Sequence, residues 1–308
     1  MNLHHIVESQ QFTVPRIMEL FERTEQMKKI VARGGTRDYD NKIMATLFYK
    51  SSTRTRFSFE AAMYRLGGKV LSTEHAREFS SEIEGEVLED SIKIIANYSD
   101  VIVLRHPEEG GAKRAAAISP VPVINAGDGA GGQHPTQALL DLYTIFSECK
   151  TLDGLSVAII GALDLGRTAR SLAYLLSKFD RVKLYFIAPK GLQIKQDILD
   201  HLDEKGISYH LSESPHNIIN KVDVVYQTRI ERERMAKSDT DITKYNIDSS
   251  VLQKMKYDSI IMHPLPRSVE IAREIDNDPR AAYFRQTQNG LYVRMALLTM
   301  LFDNNIQE

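Results

Sequence analysis

Residues 43–72 read IMATLFYKSSTRTRFSFEAAMYRLGGKVLS and set out the order strand, helix, strand. The apolar run at 43–49 has strand length and predicts a strand that is buried on both faces. Residues 56–66 predict a helix, which Gly67-Gly68 ends, and residues 69–72 predict the next strand. A helix that connects two strands in this way is the unit of a parallel sheet.

The same alternation continues along the chain. Helices are predicted near 13–34, 87–98, 112–117, 135–149 and 281–304, with strands at 100–104, 121–125, 156–160, 182–187, 208–211, 223–226 and 259–262. We therefore expect an α/β protein of two doubly wound domains, each a mainly parallel sheet flanked by helices. The expected domains are residues 1–149, with a C-terminal helix at about 288–308 that packs back on them, and residues 150–287.

Composition excludes several classes of protein. The 308 residues carry 39 Lys and Arg against 41 Asp and Glu, a formal charge of −2, which argues against nonspecific binding of nucleic acid or a membrane surface. The single Cys149 cannot form an intramolecular disulfide, and we find neither a zinc-ligand spacing nor an apolar run that spans a bilayer. The start of the chain lacks the pattern of a signal peptide. These features predict a cytoplasmic protein.

The run Ser51-Ser-Thr-Arg-Thr-Arg56 follows the first strand of this unit and begins its helix. Hydroxyls, backbone amides and a guanidinium can converge there on one anion, which indicates a phosphate site. The alternative is a Ser/Thr helix cap with solvated arginines. A Walker A loop is absent, and Gly161 to Gly166 lacks the dinucleotide-binding spacing, so neither ATP nor NAD is indicated.

Other polar groups also follow predicted strands. Each alone is weak evidence, because a histidine before a helix is often a cap and an exposed arginine is often only solvated. Together they fall where ligands bind in open parallel sheets. They are Arg105-His106, Asn125-Ala-Gly-Asp-Gly129, His134-Pro-Thr-Gln137, Gly166-Arg-Thr168, Thr228-Arg229 and His263-Pro-Leu-Pro-Arg267.

With Ser52-Thr-Arg-Thr-Arg56 and Ser58-Phe-Glu60, these motifs resemble the catalytic chain of the aspartate carbamoyltransferases, in order and over nearly the whole chain. The first and last motifs also resemble ornithine carbamoyltransferases, whereas Arg167-Thr168 and Thr228-Arg229 favour the aspartate branch. The resemblance implies carbamoyl transfer from carbamoyl phosphate to L-aspartate in pyrimidine biosynthesis, with no metal, cofactor or covalent intermediate. It also implies a homotrimer with shared active sites, and it leaves open a separate regulatory chain.

The resemblance assigns roles residue by residue. The phosphate is held by Ser52, Thr53, Arg54, Thr55 and Arg105. The carbonyl oxygen is polarised by Thr55, Arg105 and His134, and the carbamoyl amino group is held by Gln137 and the carbonyls of Pro264 and Leu265. Arg54, Thr55, Arg105 and His134 form the expected catalytic set. Aspartate contacts are assigned to Arg105, Arg167, Thr168, Arg229, Glu231 and Leu265, with the two carboxylates on Arg167 and Arg229. The peptide bond between Leu265 and Pro266 is expected to be cis.

Two positions depart from the family pattern. The loop that reaches a neighbouring subunit's site is normally Ser-x-x-x-Lys-Gly-Glu, and its serine and lysine bind carbamoyl phosphate. Here Ser80 matches and is assigned to carbamoyl phosphate, but Glu84 stands at the lysine position with Glu82 beside it. Glu231 stands where glutamine is usual. Both changes reduce affinity for anions. Three interpretations stay open: an aspartate carbamoyltransferase in which another residue or a repositioned loop compensates, a carbamoyltransferase for a less acidic or cationic amine, or a weakly active or inactive paralogue that binds a ligand or a partner.

Overall fold

A computed structural model describes residues 3–74, 85–230 and 242–304, and the chain divides into two compact units. Unit 1 comprises residues up to Leu139 together with those from Gly290 onward, and unit 2 comprises Leu140–Asn289. Both divisions fall inside helices. The boundaries at 149/150 and near 288 that the sequence suggests stay a prediction.

Unit 1 is a four-stranded parallel sheet with helices between the strands, in the order β2-β1-β3-β4. Its elements are α1 (Val14–Ala32), β1 (Ile43–Phe48), α2 (Thr53–Arg65), β2 (Lys69–Glu74), α3 (Leu88–Ala96), β3 (Val101–Arg105), α4 (Gly111–Ile118), β4 (Val123–Asn125) and the first turns of α5 (Pro135–Cys149). The strand β3 is buried along its whole length, as expected for a parallel strand covered on both faces.

Unit 2 is a five-stranded parallel sheet in the order β7-β6-β5-β8-β9. After the rest of α5 it contains β5 (Ser156–Ile160), α6 (Arg167–Leu176), β6 (Lys183–Ile187), α7 (Gln196–Glu204), β7 (Ser208–Ser212), β8 (Val224–Gln227), α8 (Ser249–Leu252), β9 (Ile260–Met262) and the start of α9 (Tyr283–Asn304). The two parallel sheets with helical connections confirm the predicted fold class.

The end of α9 belongs to unit 1 and packs on its helices, as the sequence predicts. Asp303 accepts hydrogen bonds from Arg23 Nη1 at 2.6 Å and from the Tyr39 hydroxyl at 2.8 Å, and Arg294 donates to the Ser58 hydroxyl at 2.8 Å. Within the described ranges, no helix is both long and apolar enough to cross a membrane.

In both sheets, an aspartate just before one strand accepts a hydrogen bond from the first amide of the neighbouring strand. Asp100, just before β3, accepts from the first amide of β1 (Ile43 N) at 2.8 Å and pairs with Lys42. Asp223, just before β8, accepts from the first amide of β5 at 2.8 Å and pairs with Lys256. Each aspartate fixes the register of the strand pair whose opposite ends carry the polar loops described below.

The N-terminal segment is fastened to β4 through His5, whose Nδ1 accepts from the Val123 amide at 3.0 Å. Burial, assisted by the neighbouring His4, lowers the pKa of His5 from 6.5 to about 4. The imidazole is therefore neutral in the folded chain at pH 6, where the unfolded chain is largely protonated. Its contribution to stability is complete above about pH 6.5 and is lost as the pH falls toward 4.

We expect the variant His5→Asn to flatten this pH dependence, because the amide oxygen can still accept from Val123 but does not titrate. The urea midpoint measured between pH 4 and 7 should fall less steeply than in the wild type. His216→Asn, at an exposed histidine, is the control and should retain the wild-type slope. Equal slopes for His5→Asn and the wild type would show that His5 does not carry the effect.

Candidate functional site

Three of the described loops leave the unit 1 sheet at its carboxyl edge, after β1, β3 and β4; the residues that follow β2 lie outside the described ranges. The register places Phe48 opposite Arg105 and Leu104 opposite Asn125, and the Tyr49 amide donates to the Arg105 carbonyl at 3.0 Å. The chain leaves β1 toward one side of the sheet and β3 toward the other. The loops therefore separate at the point where open α/β sheets bind ligands.

The loop 51–55 supplies hydroxyls to this edge. Ser52 stands at the N-cap of α2, but within the described ranges its side chain makes no capping hydrogen bond. Its Oγ donates instead to Thr55 Oγ1 at 3.1 Å, while its backbone amide donates to Glu74 Oε1 at 3.2 Å. The helix begins at Thr53, three residues earlier than predicted, so the hydroxyls and Arg54 lie in its first turn. A helix cap alone does not account for this arrangement.

The two arginines of this loop have different surroundings. Arg56 Nη2 lies 3.2 Å from Glu74 Oε2, and its Nε lies 3.7 Å from Glu60, so it is held in ion pairs. Arg54 is exposed, although the surrounding protein desolvates it enough to lower its pKa. A guanidinium stays charged at neutral pH in either case. Arg54 is therefore the more accessible of the two arginines, and Arg56 fastens the loop to β2.

Arg105 and His134 are both buried at the same edge, with 8% and 4% of their surfaces exposed. Arg105 Nη1 donates to the Ala126 carbonyl at 3.0 Å, which fixes the guanidinium against the loop after β4. The His134 carbonyl accepts from the amides of Gln137 and Ala138, each at 3.1 Å, in the first turn of α5. A guanidinium that is shielded from water in this way interacts strongly with an anion that binds beside it.

Unit 2 has the equivalent edge between β5 and β8, where its strand order reverses. The Thr228 amide and hydroxyl donate to the Ile160 carbonyl at 2.7 and 2.8 Å. Gly161 has φ of 134°, and a Cβ there would lie 2.1 Å from Thr228 Oγ1, so only glycine allows the loop to pass. Arg167 follows at the start of α6, and Arg229 is exposed directly after Thr228.

The loop after β9 completes this edge. The peptide bond between Leu265 and Pro266 is cis, which confirms the expectation. Arg267 is held within the protein: Nη2 donates to Asp276 Oδ2 at 2.5 Å, and Nη1 donates to the Tyr283 hydroxyl at 3.1 Å. This hydrogen bond from Arg267 holds the pKa of Asp276 below its usual value, against a smaller effect of burial. The arginine of the motif therefore anchors the loop.

Each unit brings its own set of predicted residues to one edge. Unit 1 contains Ser52, Thr53, Arg54, Thr55, Arg105, His134 and Gln137. Unit 2 contains Arg167, Thr168, Arg229, Pro264 and Leu265. Ser80, Glu84 and Glu231 lie outside the described residues. The part of the chain that is described contains no cluster of His, Cys, Asp and Glu suited to a metal ion. Glu74 was not predicted from the sequence, because no motif relates its position to the loop 51–55.

Comparison with known proteins identifies the family. The carbamoyl-phosphate-binding domain of the aspartate/ornithine carbamoyltransferases matches residues 4–147, and their Asp/Orn-binding domain matches residues 153–301. The chain is 50% identical over 311 residues to the chloroplastic aspartate carbamoyltransferase of Oryza sativa subsp. japonica, covering 98% of this chain and 85% of that one. The chain belongs to the aspartate carbamoyltransferase family.

Solved aspartate carbamoyltransferases have the same fold. The catalytic subunit of the Methanocaldococcus jannaschii enzyme is 42% identical with a TM-score of 0.91, covering 99% of this chain and 100% of that one. The Trypanosoma cruzi enzyme in complex with carbamoyl phosphate and aspartate is 38% identical with a TM-score of 0.91, covering 96% and 95%. The likeness extends over both units.

We expect the variant Glu74→Ala to lower the stability of the folded chain, because it removes the acceptor of the Ser52 amide and the partner of Arg56. A hydrogen bond to a charged group contributes about 1.5–3 kcal/mol. Urea unfolding measures the change. Glu25→Ala removes an exposed ion pair with Lys28 and is the control. An unchanged unfolding free energy in Glu74→Ala would contradict the anchoring role.

Proposed function

We propose that this chain transfers the carbamoyl group of carbamoyl phosphate to the amino group of L-aspartate, giving N-carbamoyl-L-aspartate and phosphate, a step of pyrimidine biosynthesis. One observation carries the proposal. The buried Arg105 and the hydroxyl-rich turn 51–55 follow the two neighbouring strands between which the strand order of unit 1 reverses. This arrangement occurs in a chain that is 50% identical to an aspartate carbamoyltransferase over almost its full length.

The donor half of the site is assigned to unit 1. The phosphate is assigned to the loop 51–55, with Arg54 in the first turn of α2 and Arg105 at the end of β3. Amide donors, hydroxyls and two guanidinium groups suit a doubly charged phosphate, because charge-assisted hydrogen bonds are about twice as strong as neutral ones. His134 and Gln137 lie at the start of α5, on the loop that follows β4, and are assigned to the carbamoyl group.

The chemistry follows from where charge develops. The neutral amine of aspartate attacks the carbamoyl carbon, and negative charge develops on the carbonyl oxygen, which Thr55, Arg105 and His134 stabilise. The bond from carbon to the phosphate oxygen then breaks, and the departing phosphate accepts the amine proton. Holding the two substrates together supplies much of the rate, so the reaction as written requires neither metal nor covalent intermediate.

The acceptor half is assigned to unit 2. Arg167 and Arg229 are proposed to bind the two carboxylates of aspartate, since the planar guanidinium binds a carboxylate through two parallel hydrogen bonds. Thr168 and Leu265 complete the contacts in this unit. Retention of both arginines favours a dicarboxylate over a cationic acceptor. Glu231, by its charge, is the feature that favours a different amine.

The first test is product formation from carbamoyl phosphate with L-aspartate, beside ornithine, other amino acids and no acceptor. We expect turnover selective for aspartate. Arg167→Ala should raise the KM for aspartate at least about tenfold, as expected for a charged hydrogen bond of 1.5–3 kcal/mol, and leave that for carbamoyl phosphate nearly unchanged. Arg273→Ala, at an exposed arginine of the same unit, is the control.

Turnover selective for another amine would move the assignment to a specialised carbamoyltransferase. A folded oligomer without turnover toward any acceptor would favour an inactive paralogue that binds a ligand or a partner. Equal losses for both substrates in Arg167→Ala would contradict its role in aspartate binding.

We also propose a homotrimer in which each site is shared between subunits. The proposal is supported by large apolar side chains that unit 1 exposes on α2 and beside α3: Phe57, Tyr64, Val87 and Tyr98 are 55%, 61%, 53% and 60% exposed. Phe57 and Tyr64 are seven residues apart and lie on the same face of α2, and contiguous exposed apolar surface, unlike single side chains, is typical of an interface. Light scattering at about 105 kDa, three times the 34.9 kDa chain, would support it, and a monomer would contradict it.

A regulatory chain and a cytoplasmic location remain proposals of the same kind. The low cysteine content suits a reducing compartment, whereas several plant relatives are named chloroplastic. Co-purification with a tagged chain tests for the regulatory partner, and fractionation of its native cells tests the location.

The acid at the expected lysine position gives a further prediction. A carboxylate about 4 Å from a phosphate is repelled by roughly 1–4 kcal/mol per pair of unit charges. We therefore expect Glu84→Lys to raise kcat/KM for carbamoyl phosphate at least about tenfold. Glu82→Lys makes the same charge change two residues away and is the control. An unchanged or lower rate in Glu84→Lys, or an equal gain in both variants, would contradict the electrostatic explanation.

A further inference from the structure

The loop after β9 is held from beneath by a buried pair, His263 and Glu270. Both side chains are completely buried, and His263 Nε2 lies 3.1 Å from Glu270 Oε1. The other ring nitrogen of the same histidine, Nδ1, accepts from the Leu265 amide at 2.7 Å. The imidazole therefore bridges a carboxylate and the backbone of the residue assigned to both substrates.

These contacts determine which nitrogen carries the proton. Because the Leu265 amide is a donor, Nδ1 must be without hydrogen, and the hydrogen lies on Nε2, where it is donated to Glu270. Burial alone raises the pKa of the Glu270 carboxyl, but the hydrogen bonds from His263 and from backbone amides outweigh it and hold the pKa below its usual value. A charged carboxylate can only accept, so it selects this tautomer.

A second set of contacts holds the histidine backbone. The His263 amide donates to Gln286 Oε1 at 2.9 Å, and Gln286 Nε2 donates to Asp141 Oδ1 at 2.6 Å. The other Asp141 oxygen accepts from the Tyr226 hydroxyl at 2.6 Å. These groups are all buried within unit 2 and join β8, β9, α5 and α9. Hydrogen bonds thus hold the backbone amide of His263 and both nitrogens of its ring.

We infer that Glu270 is a positioning residue for carbamoyl transfer: it holds His263 in the Nε2–H tautomer and thereby fixes the Leu265 backbone for the carbamoyl amino group. Glu270 itself does not touch the substrate. The inference rests on the proposed function, which assigns the carbonyls of Pro264 and Leu265 to that amino group. It adds a residue that the family motif His263-Pro-Leu-Pro-Arg267 does not contain.

The test is the isosteric variant Glu270→Gln. Backbone amides of Ser268 and Glu270 also donate to this carboxylate, so the glutamine keeps its oxygen toward them and turns its NH2 group toward Nε2. This moves the histidine proton to Nδ1 and opposes the Leu265 amide, a tautomer error of the kind known from other histidine–carboxylate pairs. We expect kcat to fall about 10- to 100-fold, the size of effect seen when the outer hydrogen-bond partner of a metal-binding histidine is removed. The KM for carbamoyl phosphate should change less than about threefold, because the phosphate contacts lie in unit 1.

A second readout follows the proton directly. Long-range ¹⁵N–¹H spectra distinguish the Nε2–H from the Nδ1–H tautomer, and loss of one signal set in His263→Asn assigns this histidine. We expect the Nε2–H pattern in the wild type and its loss in Glu270→Gln, with a shifted Leu265 amide. A merely structural carboxylate would lower the melting temperature without this change.

Asp223→Asn is the matched control, since it neutralises another hydrogen-bonded carboxylate of unit 2 at the opposite edge of the sheet. It should lower the melting temperature but retain kcat and the His263 pattern. A kcat within about twofold of the wild type in folded Glu270→Gln, or an unchanged tautomer, overturns the inference. If the wild type itself shows no turnover, the proposed function fails, and the nitrogen pattern with the Leu265 amide shift decides the positioning role by itself.

Discussion

Parallel strands bring all their carboxyl ends to one edge of a sheet, and where the strand order reverses the loops on either side must separate. Both units of this chain have such a reversal, between β1 and β3 and between β5 and β8. The polar motifs of the sequence follow these strands or their nearest neighbours. The location of the site is thus a consequence of the order in which the strands pair.

Carboxylates, rather than ligand-binding groups, hold the loops at these edges. Glu74 fastens the loop 51–56 to β2, Asp276 holds Arg267, and Glu270 holds His263. Burying a charge costs several kcal/mol unless the charge is paired and hydrogen-bonded. These ion pairs therefore say more about which conformation the loops adopt than about how stable the fold is. Each pairs with one arginine or histidine of a motif, whereas Arg54 stays exposed.

The charges of the site are distributed unevenly along the chain. Arg105 is buried, whereas the resemblance to the family predicts groups that suit an anion at the positions of Glu84 and Glu231. A fixed cation that is shielded from water interacts more strongly with an anion than one in solvent. Arg105 therefore provides a physical route by which carbamoyl transfer can tolerate the acidic substitutions.

The sequence by itself determined the α/β class and nearly every strand and helix, because buried parallel strands are continuous apolar runs. Its motifs are local and showed the resemblance to the family, and that resemblance implied the cis bond before Pro266. Only the tertiary structure decided the strand order and the partners of the polar side chains. Arg56 pairs with Glu74 across two elements, and Gln286 reaches Asp141 across 145 residues. No local pattern encodes such pairs, since they depend on sheet register and helix packing, and these decide which motif residues anchor a loop and which meet the ligand.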